Sequence, residues 1–119
     1  MSVATVKLEL GDKMLDLVAR RFRLLGDATR LRILQCLEPG EQSVGEITLR
    51  LSGNQPNISK HLQALYDAGL LSRRRAGNSI FYCIADSTIF TLCDLVCHSA
   101  TKSVRTNYTE LIGGVRKRR

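Results

Sequence analysis

The chain has 119 residues, and its 18 Lys and Arg against 11 Asp and Glu give a formal net charge of +7. This balance favours a polyanionic partner and says little about fold. Hydrophobic residues make up 44% of the chain but aromatic residues only 5%, with no Trp, which is typical of a small helical protein and unlike a sandwich or barrel. We expect one domain over residues 1–119, with a flexible N-terminus and a basic C-terminal tail.

No apolar run approaches the roughly 20 residues of a membrane-spanning helix, and the N-terminus lacks the pattern of an export signal. We therefore expect a cytoplasmic protein with no membrane partner. In that setting the four cysteines, Cys36, Cys83, Cys93 and Cys97, are expected to be packed, metal-binding or redox-active thiols and not disulfides.

Three helices are predicted in the first half of the chain. Apolar residues at three- and four-residue steps predict a helix over Leu10–Leu25. Asp27 is a plausible N-cap for a second helix, which a Pro-Gly pair then stops. Ser43, followed three residues later by Glu46, is a capping-box signature for a third helix that ends near Gly53.

A fourth helix is predicted to carry a polar face suited to DNA. Pro56 fits its first turn, and Ile58, Leu62 and Leu65 form its apolar face. Asn and Gln side chains pair bidentately with adenine, while Ser, Lys and His donate to phosphates or base edges. The outward residues are Asn57, Ser59, Lys60 and Gln63, with His61 near the boundary, where packing against the first helices is the alternative role.

The pattern then changes to two short strands. Leu70–Arg75 and Ser79–Ile84, joined by a Gly-containing turn, predict a two-stranded hairpin. Alternate residues of a strand face opposite sides, so we expect Arg73, Arg75 and the turn residue Asn78 to reach the DNA backbone or minor groove. With a long last helix after the hairpin, the fold class is mainly α with a small β-hairpin, arranged as a winged helix-turn-helix.

The basic residues form three clusters, which favours a directed electrostatic footprint over a uniform basic coat. Each cluster alone is equally compatible with a solvated charged face. The clusters are Arg20, Arg21 and Arg23, then Arg73 to Arg75, and finally Arg116 to Arg119.

Several stretches, distributed over roughly Phe22 to Ile84 and so over most of the folded chain, resemble the ArsR/SmtB family of bacterial repressors. They are Leu24–Leu34, Ser43–Ile47, Gln55–Leu62 and Ala68–Leu71. The resemblance implies a homodimer whose first and last helices form the interface, and a repressor that an inducer releases from operator DNA. Gln55, at the start of the predicted fourth helix, joins the candidate DNA contacts.

The sensor sites of better-known relatives are not reproduced. Ser43-Val44-Gly45 stands where some arsenic and cadmium sensors have Cys-Val-Cys, and Thr88 fills the first expected His place of the zinc set. What remains is Cys93 and Cys97, which lie four residues apart and share a helix face. That spacing suits a thiophilic ion, As(III), Sb(III), Cd(II) or Pb(II), as the inducer.

Such an ion needs at least one more ligand, for which the candidates are His98, Cys36, Cys83 or a cysteine of the partner subunit. Two other interpretations stay open. The thiols could form a redox or persulfide switch, which requires a lowered thiol pKa. They could be packing residues in a constitutive DNA-binding protein. An enzyme is not expected, because the chain has two histidines, no phosphate-binding Gly-rich loop and no hydrolase spacing.

Overall fold

The computed structural model describes residues 11–112, with side chains described up to residue 105. The predicted flexible N-terminus and basic tail lie outside the described residues. Of these residues, 11–85 form one compact unit and 86–112 form a second. The elements in chain order are α1 (Asp12–Leu25), α2 (Ala28–Leu37), β1 (Gln42–Ser43), α3 (Val44–Arg50), α4 (Gln55–Asp67), β2 (Leu71–Ala76), β3 (Ser79–Ile84) and α5 (Thr88–Ile112).

Three of the four helices of the first unit, α2, α3 and α4, begin where a side chain caps them. The Asp27 carboxylate accepts the backbone N–H of Arg30 at 3.0 Å, which confirms the predicted start of α2. Ser43 and Glu46 form the predicted capping box at α3. Each cap satisfies backbone N–H groups that a helix end leaves without partners.

Two helix boundaries lie within two or three residues of the predicted positions. α1 begins at Asp12, two residues after the predicted Leu10. α3 ends at Arg50 and does not reach Gly53, because Ser52 adopts the left-handed conformation (φ 50°). The Gly53 N–H then donates to the Thr48 carbonyl at 3.0 Å, which is the hydrogen bond that ends a helix in a Schellman motif.

The prediction of a two-stranded hairpin was incomplete, since the sheet has three antiparallel strands in the order β1-β3-β2. β1 lies before α3 and pairs Gln42 with Tyr82 of β3. A strand of two residues carries no alternating pattern, and its partner lies far along the chain, so periodicity could not reveal it. The hairpin of β2 and β3, which we call the wing, is thereby attached to the connection between α2 and α3.

The core of the first unit is aliphatic. The predicted inner face of α4 is confirmed, because Ile58, Leu62 and Leu65 are all buried. Their buried neighbours are Ile33, Leu34, Leu37, Ile47, Leu70, Leu71 and Tyr82. α1 differs from the other helices of this unit, since it buries no residue within the chain and exposes Met14, Leu15, Leu17 and Phe22.

Between residues 11 and 112, none of the helices combines the length and apolar character needed to cross a membrane.

Candidate nucleic-acid interface

α3 and α4 form the helix-turn-helix, joined by residues 51–54. Asn54 caps α4, since its side chain accepts the Asn57 N–H at 3.0 Å. Gly53 allows a close approach in this turn, because an added Cβ would lie 3.1 Å from side-chain carbons of Ile58. The turn therefore packs directly on the first buried residue of α4, which fixes where the helix begins.

The face of α4 opposite the core presents most of the predicted polar residues to solvent. Gln55, Asn57, Lys60 and Gln63 are exposed, whereas Ser59 is half-buried. Their side chains supply amide, hydroxyl and ammonium groups along one helix, which are the groups that read base edges and phosphates in a major groove. We therefore call α4 the recognition helix.

His61 has a partner inside the protein. Its Nδ1 lies 3.2 Å from Nη1 of Arg30, whose Nε donates to the Leu24 carbonyl at 2.6 Å. A guanidinium group only donates, so Nδ1 accepts this hydrogen bond and the ring proton lies on Nε2. The half-buried ring therefore links the recognition helix to the junction of α1 and α2. This contact agrees with the alternative role of His61, which is packing against the first helices.

The side chains of the three arginines of β2 point to alternate sides of the strand. Arg74 directs its guanidinium at the Glu41 carboxylate through two hydrogen bonds of 2.7 and 2.8 Å, and stacks over Phe81. The hydrogen bond from Arg74 is the main reason that the pKa of Glu41 lies below its ordinary value. Arg73 and Arg75 face the other side of the strand, and Arg75 is exposed.

The wing is joined to the recognition helix by a chain of polar contacts. Arg73 stacks over the Tyr66 ring at 4.0 Å and donates to Oε1 of Gln63 at 2.9 Å. Gln63 in turn donates to Asp67 at 2.8 Å. The Gln63 amide keeps one N–H donor and one lone pair on its oxygen for other partners. A donor and an acceptor of this kind are the two groups that pair with adenine. Sequence reasoning missed Tyr66 and Asp67, although the i, i+4 spacing of Gln63 and Asp67 is a usable signal.

The wing turn is built for a tight reversal. Gly77 has φ 64°, a conformation that glycine adopts without steric cost, and Asn78 beside it is exposed. The predicted contact residue Asn78 therefore lies at the exposed tip of the wing.

The candidate sensor residues of α5 differ in environment. Cys93 is half-buried, whereas Cys97 and His98 are exposed. Burial raises the pKa of the Cys93 thiol, and the negative charge of Asp94 raises it further. A raised pKa disfavours the free thiolate, which is the form that reacts with oxidants and binds soft metal ions.

The other two cysteines have partners of their own. The Cys36 thiol donates to Oε1 of Gln42 at 3.6 Å, and Sγ of Cys83 lies 2.9 Å from the Ser72 hydroxyl. Within the part of the chain that the structure describes, no group of three or more His, Cys, Asp or Glu residues is placed to share one metal ion. A complete ligand set would have to include a group beyond these residues of a single chain.

Comparisons with known proteins agree with this architecture. Residues 25–74 match the model of a helix-turn-helix domain family. The chain is 40% identical over 79 residues to an HTH-type transcriptional regulator of Methanocaldococcus jannaschii, a match covering 66% of this chain and 89% of the relative. It is 39% identical over 77 residues to a probable mercury resistance operon repressor of Streptomyces lividans. That match covers 65% of this chain but only 62% of the relative's length.

A solved structure is similar over most of the chain. It is the homodimeric winged helix-turn-helix domain of a possible ArsR-family transcriptional regulator from Mycobacterium bovis. The two share 34% sequence identity with a TM-score of 0.67, over 81% of this chain and 92% of that one. The fold, the helix-turn-helix match and these similarities together show that the chain belongs to the ArsR family of winged helix-turn-helix transcriptional regulators.

Proposed function

We propose that the chain is a homodimeric transcriptional repressor that binds operator DNA and is released from it by a thiophilic metal or metalloid ion. The observation that carries the DNA-binding part is the exposed polar face of the recognition helix, which lies opposite its fully buried aliphatic face and is joined to an arginine-bearing wing. The M. bovis relative is a homodimer. A dimer would place two recognition helices in successive major grooves, about 34 Å apart.

Each side chain in this proposal has a chemical role. Asn57 and Gln63 read bases through their amides, while Lys60 neutralises a phosphate. Gln55, Ser59, Arg73, Arg75 and Asn78 add contacts from the helix and the wing. The contact with Arg73 orients the Gln63 amide before DNA arrives, which reduces the entropy lost on binding.

The DNA part is tested by mobility shift on the duplex upstream of the chain's own coding sequence, with a shuffled duplex for comparison. Lys60→Ala should weaken binding to both duplexes and lower the slope of log affinity against log salt by about 1. Asn57→Ala should instead reduce the difference in binding free energy between the upstream duplex and the shuffled duplex, by about 1–3 kcal/mol. Arg32→Ala, at an exposed position of α2, is the charge-matched control and should change neither the salt slope nor the difference between the duplexes.

The inducer part rests on Cys93 and Cys97. Two thiols four residues apart on one helix suit a soft ion, and the S. lividans relative is named for mercury resistance, which concerns such an ion. A third ligand would come from the partner subunit. A soft ion and an oxidant both react with the thiolate, so the raised pKa of Cys93 disfavours both reactions and the titration described below must distinguish them.

Binding of the ion would change the angle between the two subunits and so the spacing of the recognition helices. An ion that binds the free protein tenfold more tightly than the DNA complex weakens DNA binding by about 1.4 kcal/mol. The fraction of DNA released is therefore expected to rise with the concentration of the ion until the ion site is saturated.

The ion is identified by titrating the protein–DNA complex separately with As(III), Sb(III), Cd(II), Pb(II), Hg(II), Zn(II) and a mild oxidant. One thiophilic ion should release the DNA at a stoichiometric concentration. Cys93→Ser and Cys97→Ser should abolish the release, while Cys83→Ser, a matched loss of one thiol on the wing, should preserve it. Release of the double Cys93→Ser/Cys97→Ser variant would refute the site, and release by the oxidant alone would identify a thiol redox switch.

A further inference from the structure

The amide of Gln63 lies between two partners of opposite chemistry. Its Nε2 donates to Oδ1 of Asp67 at 2.8 Å, and its Oε1 accepts from Nη1 of Arg73 at 2.9 Å. A guanidinium group only donates, and an ionised carboxylate only accepts. An amide turned by 180° would place donor against donor on one side and acceptor against acceptor on the other. One of the two amide orientations therefore satisfies both partners, and the other satisfies neither.

The two partners come from different elements of the fold. Asp67 lies four residues after Gln63 and so on the same face of α4. Arg73 comes from β2, where it stacks over the Tyr66 ring at 4.0 Å and lies opposite the buried Tyr82 of β3. The amide is therefore held from its own helix on one side and from the wing on the other, which restricts its rotation.

The position of Asp67 indicates that its role is not to stabilise the helix. It is the last residue of α4, where the helix dipole disfavours a negative charge. Its side chain is exposed, so burial does not compensate for this cost. Residues that break a local rule of this kind are expected at functional sites. The hydrogen bond that Asp67 accepts from Gln63 connects it to the DNA-reading face.

The orientation of the amide decides which base it can read. In the major groove adenine presents an acceptor and a donor, whereas guanine presents two acceptors. An amide that is held with both its donor and its acceptor in place matches adenine, while an amide that is free to turn can direct its NH₂ group at guanine. We propose that Asp67 is a positioning residue that makes Gln63 selective for adenine over guanine. This inference rests on the proposed function and adds to it a residue that acts through Gln63.

The first test needs no DNA. Relaxation of the side-chain ¹⁵N nuclei of the full chain, measured by NMR, reports how ordered each glutamine amide is. Gln63 should be more ordered than Gln35, an exposed glutamine of α2, and order parameters below about 0.6 mark a flexible group. Asp67→Ala should bring the Gln63 amide to the mobility of Gln35. Asp67→Asn is the matched control, because it loses the same charge but keeps a carbonyl acceptor, and it should preserve the order.

The second test measures base preference by mobility shift on the upstream duplex, with each base pair replaced in turn. Gln63→Ala identifies the position at which Gln63 discriminates. There the wild type should prefer adenine to guanine by at least about fivefold, the lower end for a bidentate contact. Asp67→Ala should remove most of this preference and Asp67→Asn should keep it. Loss of a negative charge raises the affinity for every duplex alike, so the ratio reports positioning and not charge.

Two further measurements separate positioning from a structural role. The double variant Gln63→Ala/Asp67→Ala should discriminate no less than Gln63→Ala alone, since Asp67 acts through Gln63. In urea titrations Asp67→Ala should be at least as stable as the wild type, because it removes a charge that the helix dipole disfavours. A preference lost only together with stability would show that Asp67 supports the fold, and the proposal would be wrong.

The remaining outcomes distinguish this inference from the proposed function. A wild type that binds all the substituted duplexes equally would refute sequence-specific binding, and the inference with it. A wild type that discriminates at other positions, but at none that Gln63→Ala affects, would overturn the inference alone. The same holds if the Gln63 amide of the wild type is as mobile as that of Gln35, or if Asp67→Ala and Asp67→Asn lose the preference equally.

Discussion

Truncation of Leu62 is the sharpest test of how the recognition helix is held. Leu62 is 0% exposed and lies between Ile58 and Leu65, which are also buried. Leu62→Ala removes roughly three buried carbon groups at about 0.8 kcal/mol each, or about 2.4 kcal/mol. The cavity left behind adds to this, so we expect a loss of about 3–4 kcal/mol, within the range for buried Leu→Ala changes. At about 4 °C per kcal/mol for a domain near 100 residues, the Tm should fall by about 12 °C or more.

The assay is urea unfolding followed by circular dichroism, at equal protein concentration for all variants. The matched control is Leu49→Ala, the same chemical change on the other helix of the helix-turn-helix, at a position that is 82% exposed. It should alter the free energy of unfolding by less than about 0.5 kcal/mol. If the two variants lose similar stability, or Leu62→Ala loses less than about 1 kcal/mol, the inner face of α4 is not packed into the aliphatic core.

Three further predictions concern capping, backbone conformation and pH. Asn54→Ala removes the N-cap of α4 and should lower the free energy of unfolding by about 1 kcal/mol in urea titrations. Gly69→Ala forces a side chain into the left-handed region (φ 82°), and thermal unfolding should report a loss of about 1–2 kcal/mol. The pKa of Glu41 is lowered by Arg74, so its stabilising contribution is present above its ordinary pKa of about 4.5 and is lost as pH falls through the lower folded pKa. Glu41→Gln should therefore be less stable than the wild type at pH 7, and urea titrations at lower pH should show the difference disappearing.

Elements with local signals were predictable from the sequence. The cap at Asp27 and the capping box of Ser43 and Glu46 each act within three or four residues, and the structure has both. The inner face of α4 repeats every three to four residues, so its buried members could be named in advance. Each of these signals is contained within one element of the chain.

Contacts between distant segments were not predictable in the same way. The pairing of Gln42 with Tyr82 joins residues 40 positions apart through a strand too short to show a period. The contact of Arg73 with Gln63 depends on how the wing lies against α4. Sequence reasoning placed both residues on the DNA-binding surface, but their contact with each other follows only from the packing of β2 beside that helix.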